Sequence, residues 1–232
     1  MTEPAPTSKP AWPAMSIAQA HALLTAPGQP FEMEEVVIRG LPTRTWKNAP
    51  PTLRATLEAS RAHAGRTFLV YEDERVTYEA FRRAVAAFAE ALAADGVEKG
   101  DRVAIVMRNL PEWPVAFYAV VSLGAVATPL NAWWTGPELE YGLADSGAKV
   151  AVLDGERLER LSEHLPNCPD LRRVYVARAR EEIAHPRLAK LEDIIGAPEA
   201  WADLPDRPLS ATPIAPDDLA TIFYTSGTTG KP

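Results

Sequence analysis

The stretch DRVAIVMRNLPEWPVAFYAVVSLGAVATPLN, residues 101–131, contains two apolar runs separated by a helix-like segment, and this order decides the fold. The apolar runs begin near Val103 and near Ala125, and their length and composition are typical of buried strands. Pro111 is well placed for the start of a helix between them. Gly124 is suited to end that helix. The stretch therefore predicts a β-α-β unit.

The same rhythm continues along the chain. Further strand candidates begin near Val150 and Val174, so that strands recur at an interval of about two dozen residues, with helical segments between them. Thr135 and Glu138 have the spacing of a capping box, which predicts a helix start, and Gly147 is placed to end that helix. The predicted fold class is α/β, with βα alternation and a mostly parallel sheet.

Composition shifts predict three parts. Residues 1–51 form an N-terminal extension that is partly disordered, since residues 1–13 are rich in Pro and small side chains and residues 40–51 are typical of a loop. Residues 52–210 are expected to form a first α/β subdomain. Residues 211–232 are expected to begin the next subdomain, which is cut off inside the glycine-rich segment that it contains.

Four further predictions concern single elements outside this βα alternation. Residues 68–71 and 75–77 bracket a polar turn and predict a hairpin, after which Thr77 is placed to cap a helix. A helix is expected over residues 187–195. Residues 220–224 are expected to form a buried strand that leads directly into the glycine-rich segment.

Bulk properties exclude several functions. The net charge of -7 and the pI near 5.2 argue against a broad basic surface for nucleic acid or anionic membranes. The single cysteine, Cys168, excludes an intramolecular disulfide, and the four histidines have no metal-ligand spacing. Residues 113–137 carry no charge, but Pro114 and Gly124 interrupt the run and favour a buried βα unit over a membrane span. Since no secretory signal is visible either, a cytoplasmic protein is expected.

The segment YTSGTTGKP, residues 224–232, carries the clearest chemistry. Six consecutive positions supply four hydroxyls and two glycines, so that main-chain amides and hydroxyls can converge on phosphate oxygens or on Mg²⁺. A P-loop is excluded, because Thr225 stands at the position of its first glycine and Pro232 at the position of its Ser or Thr. A flexible linker is the alternative. Residues 225–230 are therefore candidates for contacts with an anion.

This segment closely resembles the phosphate-binding loop of the adenylate-forming, or AMP-binding, superfamily, which includes acyl-CoA synthetases such as the long-chain fatty acid–CoA ligases. The family pattern reads Tyr-Thr-Ser-Gly-Thr-Thr-Gly-x-Pro-Lys, and residues 224–230 and Pro232 match it. Lys231 occupies the variable position and does not take the role of the family lysine. The resemblance extends upstream to about Thr52, through residues 100–105 and their successors in the same order.

The resemblance implies an ATP-dependent acid–thiol ligase that activates a fatty or aryl acid as an acyl-adenylate and transfers it to coenzyme A. It implies ATP, Mg²⁺ and coenzyme A as cofactor and co-substrates, and Thr225 as a Mg²⁺ contact. It also implies that the β- and γ-phosphates are bound by Thr225, Ser226, Gly227, Thr228, Thr229 and Gly230. The catalytic residues of the family lie downstream of residue 232, so the chain is expected to be an N-terminal fragment that is inactive alone and holds no catalytic residue. No nucleic acid and no transmembrane span are expected.

Two alternatives remain open for the function. One is an adenylation domain that loads a carrier protein, and the other is a short non-catalytic nucleotide-binding protein. The adjacent Trp133 and Trp134 are also open to two interpretations. Packing at the end of a buried strand is the first, and an acyl entrance or a partner surface is the second.

Overall fold

The structure, a computed structural model, describes residues 14–225 and divides into two compact units, residues 1–50 and 51–232. The predicted disordered lead over residues 1–13 lies outside the described residues, as do residues 226–232. The division of the chain into three parts at residues 51 and 210 stays a prediction.

The first unit contains helix α1 (Ile17–Leu24) and a hairpin of strands β1 (Met33–Ile38) and β2 (Leu41–Trp46). Ser16 caps α1 with the side-chain and main-chain bonds of a capping box. The prediction of a loop over residues 40–51 was wrong for β2. Two residues with positive φ, Arg39 (51°) and Gly40 (81°), form the hairpin turn that the pattern of prolines and polar residues concealed.

The second unit begins with a helix, a hairpin and a long helix. The predicted hairpin is confirmed, and the Thr77 side chain accepts a hydrogen bond from the Ala80 amide, which caps the long helix as expected. These elements are α2 (Leu53–Ala59), which continues as a 3₁₀ turn over Ser60–His63, then β3 (Thr67–Tyr71), β4 (Glu74–Thr77) and α3 (Tyr78–Ala94).

A five-stranded parallel sheet forms the centre of this unit, with strand order β6-β5-β7-β8-β9. The predicted α/β class and parallel sheet are confirmed. The capping box of Thr135 and the left-handed Gly147 (φ 63°) at the end of α5 are confirmed as well. In chain order the elements are β5 (Arg102–Val106), α4 (Glu112–Ser122), β6 (Val126–Pro129), α5 (Gly136–Ser146), β7 (Val150–Asp154), α6 (Gly155–Leu161), β8 (Arg173–Ala177), β9 (Leu188–Lys190) and α7 (Glu192–Ile195).

Two local predictions were wrong. The helix expected over residues 187–195 is a strand followed by one helical turn, because residues 188–190 pair with the edge of β8 before α7 begins. The buried strand expected over residues 220–224 is reduced to a single parallel bridge between Ala127 and Thr221, and its residues are partly or fully exposed. Tertiary pairing at the sheet edge thus decided the outcome over local pattern at residues 188–190. Residues 220–224 lack strand pairing beyond that one bridge among the described residues.

The sheet separates two hydrophobic clusters. Val103 and Ile105 of β5 face α3 and α4, and Ala104 and Val106 of the same strand face α5 and α6, as the two-residue period of a strand requires. Both faces of the sheet are therefore covered, which explains the long uncharged run over residues 113–137. None of the helices in the described part of the chain is long and apolar enough to cross a membrane.

Gly155 offers a test of how tightly the residues that follow β8 pack against the start of α6. A Cβ atom at this position would lie 2.7 Å from the Arg178 carbonyl oxygen, so the backbone of one element must shift. We expect Gly155→Ala to lower the free energy of unfolding by about 1–3 kcal/mol, as overpacking does. Urea denaturation measures the change.

Gly65→Ala is the matched control, since no atom lies within 4 Å of the place that a Cβ atom would take there, and the φ of Gly65 is not positive. Its free energy of unfolding should change by less than about 0.5 kcal/mol. Equal stabilities of the two variants would contradict the close packing at Gly155.

Candidate functional site

A cleft of about 800 Å³ opens at the carboxyl edge of the parallel sheet. The carboxyl ends of parallel strands meet at one edge, which is where open α/β sheets bind ligands. The residues that follow four strands contribute to the lining. Arg108 follows β5, Trp133 follows β6, Arg157 follows β7, and Arg178 and Arg180 follow β8.

The carboxylate of Asp154, the last residue of β7, organises the floor of the cleft. Its Oδ1 accepts a hydrogen bond from the Arg157 amide at 3.0 Å, which caps α6. Its Oδ2 accepts one from the Arg108 amide at 3.0 Å. The Arg157 guanidinium lies 3.2 Å from the same oxygen. One buried side chain thus fixes the segment that follows β5 and the start of α6.

Arg157 is almost completely buried, with 1% of its side chain exposed. Its Nε donates to the Ala132 carbonyl at 2.8 Å, and its Nη1 contacts Asp154 and Glu156. Its Nη2 has no hydrogen-bond partner among the described residues. A buried cationic donor without a partner is costly, and this one belongs to a side chain that lines the cleft.

The guanidinium of Arg178, which also lines the cleft, is held by two carboxylates. Its side chain contacts Glu112 at 2.9 Å and Glu74 at 2.8 Å, and the guanidinium lies 5.2 Å from the centre of the Tyr71 ring. Burial raises the pKa of Glu112, although the Arg178 guanidinium acts in the opposite direction. The Arg178 amide also donates to Glu192 in the first turn of α7, at 2.6 Å. The charge of Arg178 is therefore largely neutralised within the protein.

The two adjacent tryptophans have different environments. Trp134 is buried and packs against Gly142 and Tyr224, as the interpretation of strand-end packing predicts. Trp133 is 64% exposed and lines the cleft. The Arg108 guanidinium lies 4.4 Å from the centre of the Trp133 ring, within the range of a cation–π interaction. Strand-end packing therefore holds for Trp134 and is wrong for Trp133.

The cleft is locally basic in a chain whose net charge is -7. Four arginines line it against two carboxylates, those of Asp154 and Glu156. Within residues 14–225, the Arg108 guanidinium makes no ion pair with a carboxylate, and Arg180 pairs with Glu159 at 3.3 Å while most of its side chain remains exposed. The arrangement suits a ligand that carries several negative charges.

The predicted phosphate-binding loop is described only at its first residue. Thr225 is exposed, and Ser226, Gly227, Thr228, Thr229 and Gly230 lie outside the described residues. The preceding segment runs parallel to β6, since the Ile222 amide donates to the Ala127 carbonyl at 3.0 Å. It therefore leads towards the edge at which the cleft opens. The Tyr224 hydroxyl donates to Asp145 at 2.6 Å, and burial together with this carboxylate raises the pKa of Tyr224.

Metal ligands are sparse in the described region. Residues 14–225 contain no group of three or more His, Cys, Asp or Glu side chains that could hold a metal ion. Cys168 is buried in the second hydrophobic cluster, and burial raises the pKa of its thiol. A buried thiol with a raised pKa is poorly suited to act as a nucleophile.

Sequence reasoning did not find the arginine-lined cleft. A signal was present, because an arginine stands within four residues of the end of three strands, at Arg108, Arg157 and Arg178. The positions are about 50 and 20 residues apart in the sequence. Only the parallel order of the strands shows that these side chains share one edge.

The chain is similar to proteins of one family. The model of the family described as AMP-binding enzyme matches residues 57–232. The long-chain-fatty-acid–CoA ligase FadD13 of Mycobacterium tuberculosis is 36% identical over 166 residues, which is 69% of this chain and 29% of that protein. The 4-coumarate–CoA ligase-like 4 of Oryza sativa subsp. japonica is 37% identical over 179 residues, which is 74% of this chain and 31% of that protein.

Solved structures agree with the sequence relatives. The anthranilate CoA ligase AuaEII, in a crystal structure with anthranoyl-AMP, aligns with a TM-score of 0.69 and 26% identity over 79% of this chain and 34% of that chain. The chain thus spans about 30% of the length of the curated relatives that it matches. Since the family model covers most of the chain, this protein belongs to the AMP-binding enzyme family.

Proposed function

We propose that the native polypeptide containing these residues is a cytoplasmic, ATP-dependent acid–CoA ligase acting on a fatty or aryl acid. The observation that carries the proposal is the arginine-lined cleft, which lies at the sheet edge towards which the phosphate-binding segment leads. Among the relatives, one is named as a long-chain-fatty-acid–CoA ligase, one as 4-coumarate–CoA ligase-like and one as a 3-hydroxybenzoate–CoA/4-hydroxybenzoate–CoA ligase, which supports a carboxylic acid substrate without selecting one.

The reaction has two steps. An oxygen of the substrate carboxylate attacks the α-phosphorus of ATP, and pyrophosphate leaves with the bonding electron pair. The sulfur of coenzyme A then attacks the acyl carbonyl carbon and loses its proton, and the bond from that carbon to the phosphate oxygen breaks so that AMP leaves with the electron pair. Both steps bring polyanions together, so the main task of the protein is to position the reactants and to neutralise phosphate charge.

The phosphate-binding loop is proposed to hold the β- and γ-phosphates of ATP. Thr225, Ser226, Gly227, Thr228, Thr229 and Gly230 would supply hydroxyl and main-chain donors. Thr225, exposed in the described part of the chain, would also contact Mg²⁺. When bound, Mg²⁺ supplies charge neutralisation for the phosphates.

The arginine-lined cleft is proposed to receive coenzyme A. If the loop takes the phosphates of ATP, coenzyme A is the remaining substrate that carries phosphate groups. Arg157 has a buried N–H donor without a partner among the described residues. Within residues 14–225, the Arg108 guanidinium makes no ion pair, and the Arg180 guanidinium makes one, at 3.3 Å from Glu159. These donors match phosphate oxygens in charge and geometry.

Acid-dependent exchange of pyrophosphate into ATP tests the ligase function. The native polypeptide should catalyse this exchange with at least one member of a panel of fatty and aryl acids. The 232-residue chain alone should give none, since it covers about 30% of the relatives' length. Absence of acid-dependent exchange in the native polypeptide with every acid would contradict the proposal.

Thr225 allows a sharper version of that test. Thr225→Val in the native polypeptide should lower kcat of exchange on the order of a hundredfold, because it removes a donor to charge that develops on phosphate. Thr225→Ser keeps the hydroxyl and should retain most of the rate. Equal rates for the Val and Ser variants would exclude a role for the hydroxyl.

Binding of coenzyme A to the cleft can be measured by isothermal titration calorimetry. Arg180→Gln should weaken binding by about two- to fivefold, with a smaller effect at high salt, as expected for an exposed ionic contact. Arg172→Gln is the matched control, because Arg172 is an exposed arginine that precedes β8, at the opposite edge of the sheet. Equal weakening by both substitutions would show a general charge effect instead of binding in the cleft.

A further inference from the structure

The hairpin of the first compact unit has one face that is open to solvent. Side chains alternate between the two faces of a strand, so the register fixes which cross-strand partners share this face. Five of its six side chains are exposed, among them Val37 (73%) and Trp46 (59%), and the sixth is half-buried. On the opposite face, Val36, Thr43 and Thr45 are half-buried. We call the open surface the outer face, and its members are the pairs Met33–Trp46, Glu35–Arg44 and Val37–Pro42.

The hairpin lies outside the part of the chain that the family model matches. That match begins at residue 57, whereas the first compact unit ends at residue 50. A two-stranded hairpin alone is marginally stable in water, and an exposed apolar surface marks a place where another surface binds. The outer face therefore needs a partner that the shared family fold does not specify.

The outer face has a pattern that is complementary to itself. Its middle row carries one carboxylate and one guanidinium, with Glu35 opposite Arg44, and an apolar row lies on each side of it. Although the register opposes these two residues, their side chains form no ion pair with each other within residues 14–225, where Lys47 of the same unit pairs with Glu32. The two charges are thus available to a second surface.

A two-fold axis parallel to the strands, midway between two facing copies, brings these rows together. This rotation exchanges the two strands and keeps the position along them, so Glu35 of each copy lies over Arg44 of the other. Each apolar row meets the same row of the second copy, so that Trp46 lies over Met33. A two-fold axis perpendicular to the strands in the same plane would oppose like charges instead. Charge complementarity therefore selects the parallel axis.

We propose that the outer face is a self-association surface, which packs on the outer face of a second copy of this chain about a two-fold axis parallel to the strands. Sheets that face each other in this way lie about 10 Å apart. Six side chains make a small contact, so the dimer is weak, with a Kd on the order of 10 µM. The inference does not depend on the proposed ligase function.

Other partners fit the outer face less well. Anionic membranes bind apolar surfaces that are flanked by an excess of basic residues, whereas the charges of Glu35 and Arg44 balance each other. Addition of a further strand along the edge of β2 is disfavoured by Pro42, which has no amide hydrogen to donate. Packing through the face uses neither edge of the hairpin.

Sedimentation equilibrium of the native polypeptide, over a concentration series that spans the expected Kd, tests the proposal. Val37→Asp should weaken self-association at least about tenfold, because it buries an unpaired charge in an apolar row. Val70→Asp is the matched control, since Val70 is an exposed valine (63%) in β3 of the second compact unit. The control should keep its Kd within about twofold of the unmodified protein. Far-UV circular dichroism checks that both variants are folded.

The charged row gives a test that a loss of folding cannot imitate. Glu35→Arg and Arg44→Glu each leave only like charges in that row, so each variant alone should self-associate at least about tenfold more weakly. An equal mixture of the two variants should associate to within about threefold of the unmodified protein, because opposite charges then face each other. The double variant Glu35→Arg/Arg44→Glu should recover self-association for the same reason.

Three outcomes would overturn the inference. These are an unmodified polypeptide that stays monomeric throughout the series, a dimer that Val37→Asp and Val70→Asp weaken equally, and a mixture of the two charge variants that associates no better than either alone. A monomeric native polypeptide beside a dimeric 232-residue chain would also overturn it, because a later segment of the same polypeptide would then cover the outer face.

Discussion

The carboxylate of Asp154 connects the fold to the candidate site. It ends the central strand β7, caps α6 through the Arg157 amide and accepts a hydrogen bond from the Arg108 amide that follows β5. It also compensates the buried Arg157 guanidinium at 3.2 Å. A buried cation without such a partner would cost several kcal/mol, so removal of this one carboxylate would disturb strand, helix and cleft together.

Buried carboxylates of this kind explain why the cleft can be basic in an acidic protein. Arg157 and Arg178 are anchored by carboxylates inside the protein, which makes their burial tolerable and fixes their geometry. Arg108 and Arg180 extend from this anchored framework with much of their charge available. Net charge therefore says little about what the sheet edge binds, because the local arrangement of guanidinium groups decides it.

The elements that could be predicted from sequence are those whose signals are local and repeated. The apolar runs at Val103, Ala125, Val150 and Val174 gave the parallel sheet, and the cap of Thr77 gave the start of α3. The strand β9 was missed because three residues that pair at a sheet edge carry too little periodicity to exceed the helical pattern around them.

The cleft escaped prediction for a different reason. Its side chains come from segments that are distant in the sequence, and an isolated arginine after an apolar run has no local meaning. The different burial of Trp133 and Trp134 could not be predicted either. The two residues are adjacent and identical in type, and only the structure of the turn after β6 exposes one ring and buries the other. Long-range register was needed to give these residues a shared location.

Two different means of binding anions are proposed for this edge of the sheet. A segment rich in glycine and hydroxyl groups leads towards one side of this edge, and such a segment suits close main-chain contact with phosphates and with a metal ion. The other side presents fixed guanidinium groups beside an exposed indole at Trp133, which suit a second polyanion. The proposed ligase transfers an acyl group from an adenylate to coenzyme A, so its two phosphate-bearing substrates need separate sites. The different chemistry of the two sides would provide that separation, because main-chain donors suit close contact with a polyphosphate and guanidinium groups suit a second set of phosphate oxygens.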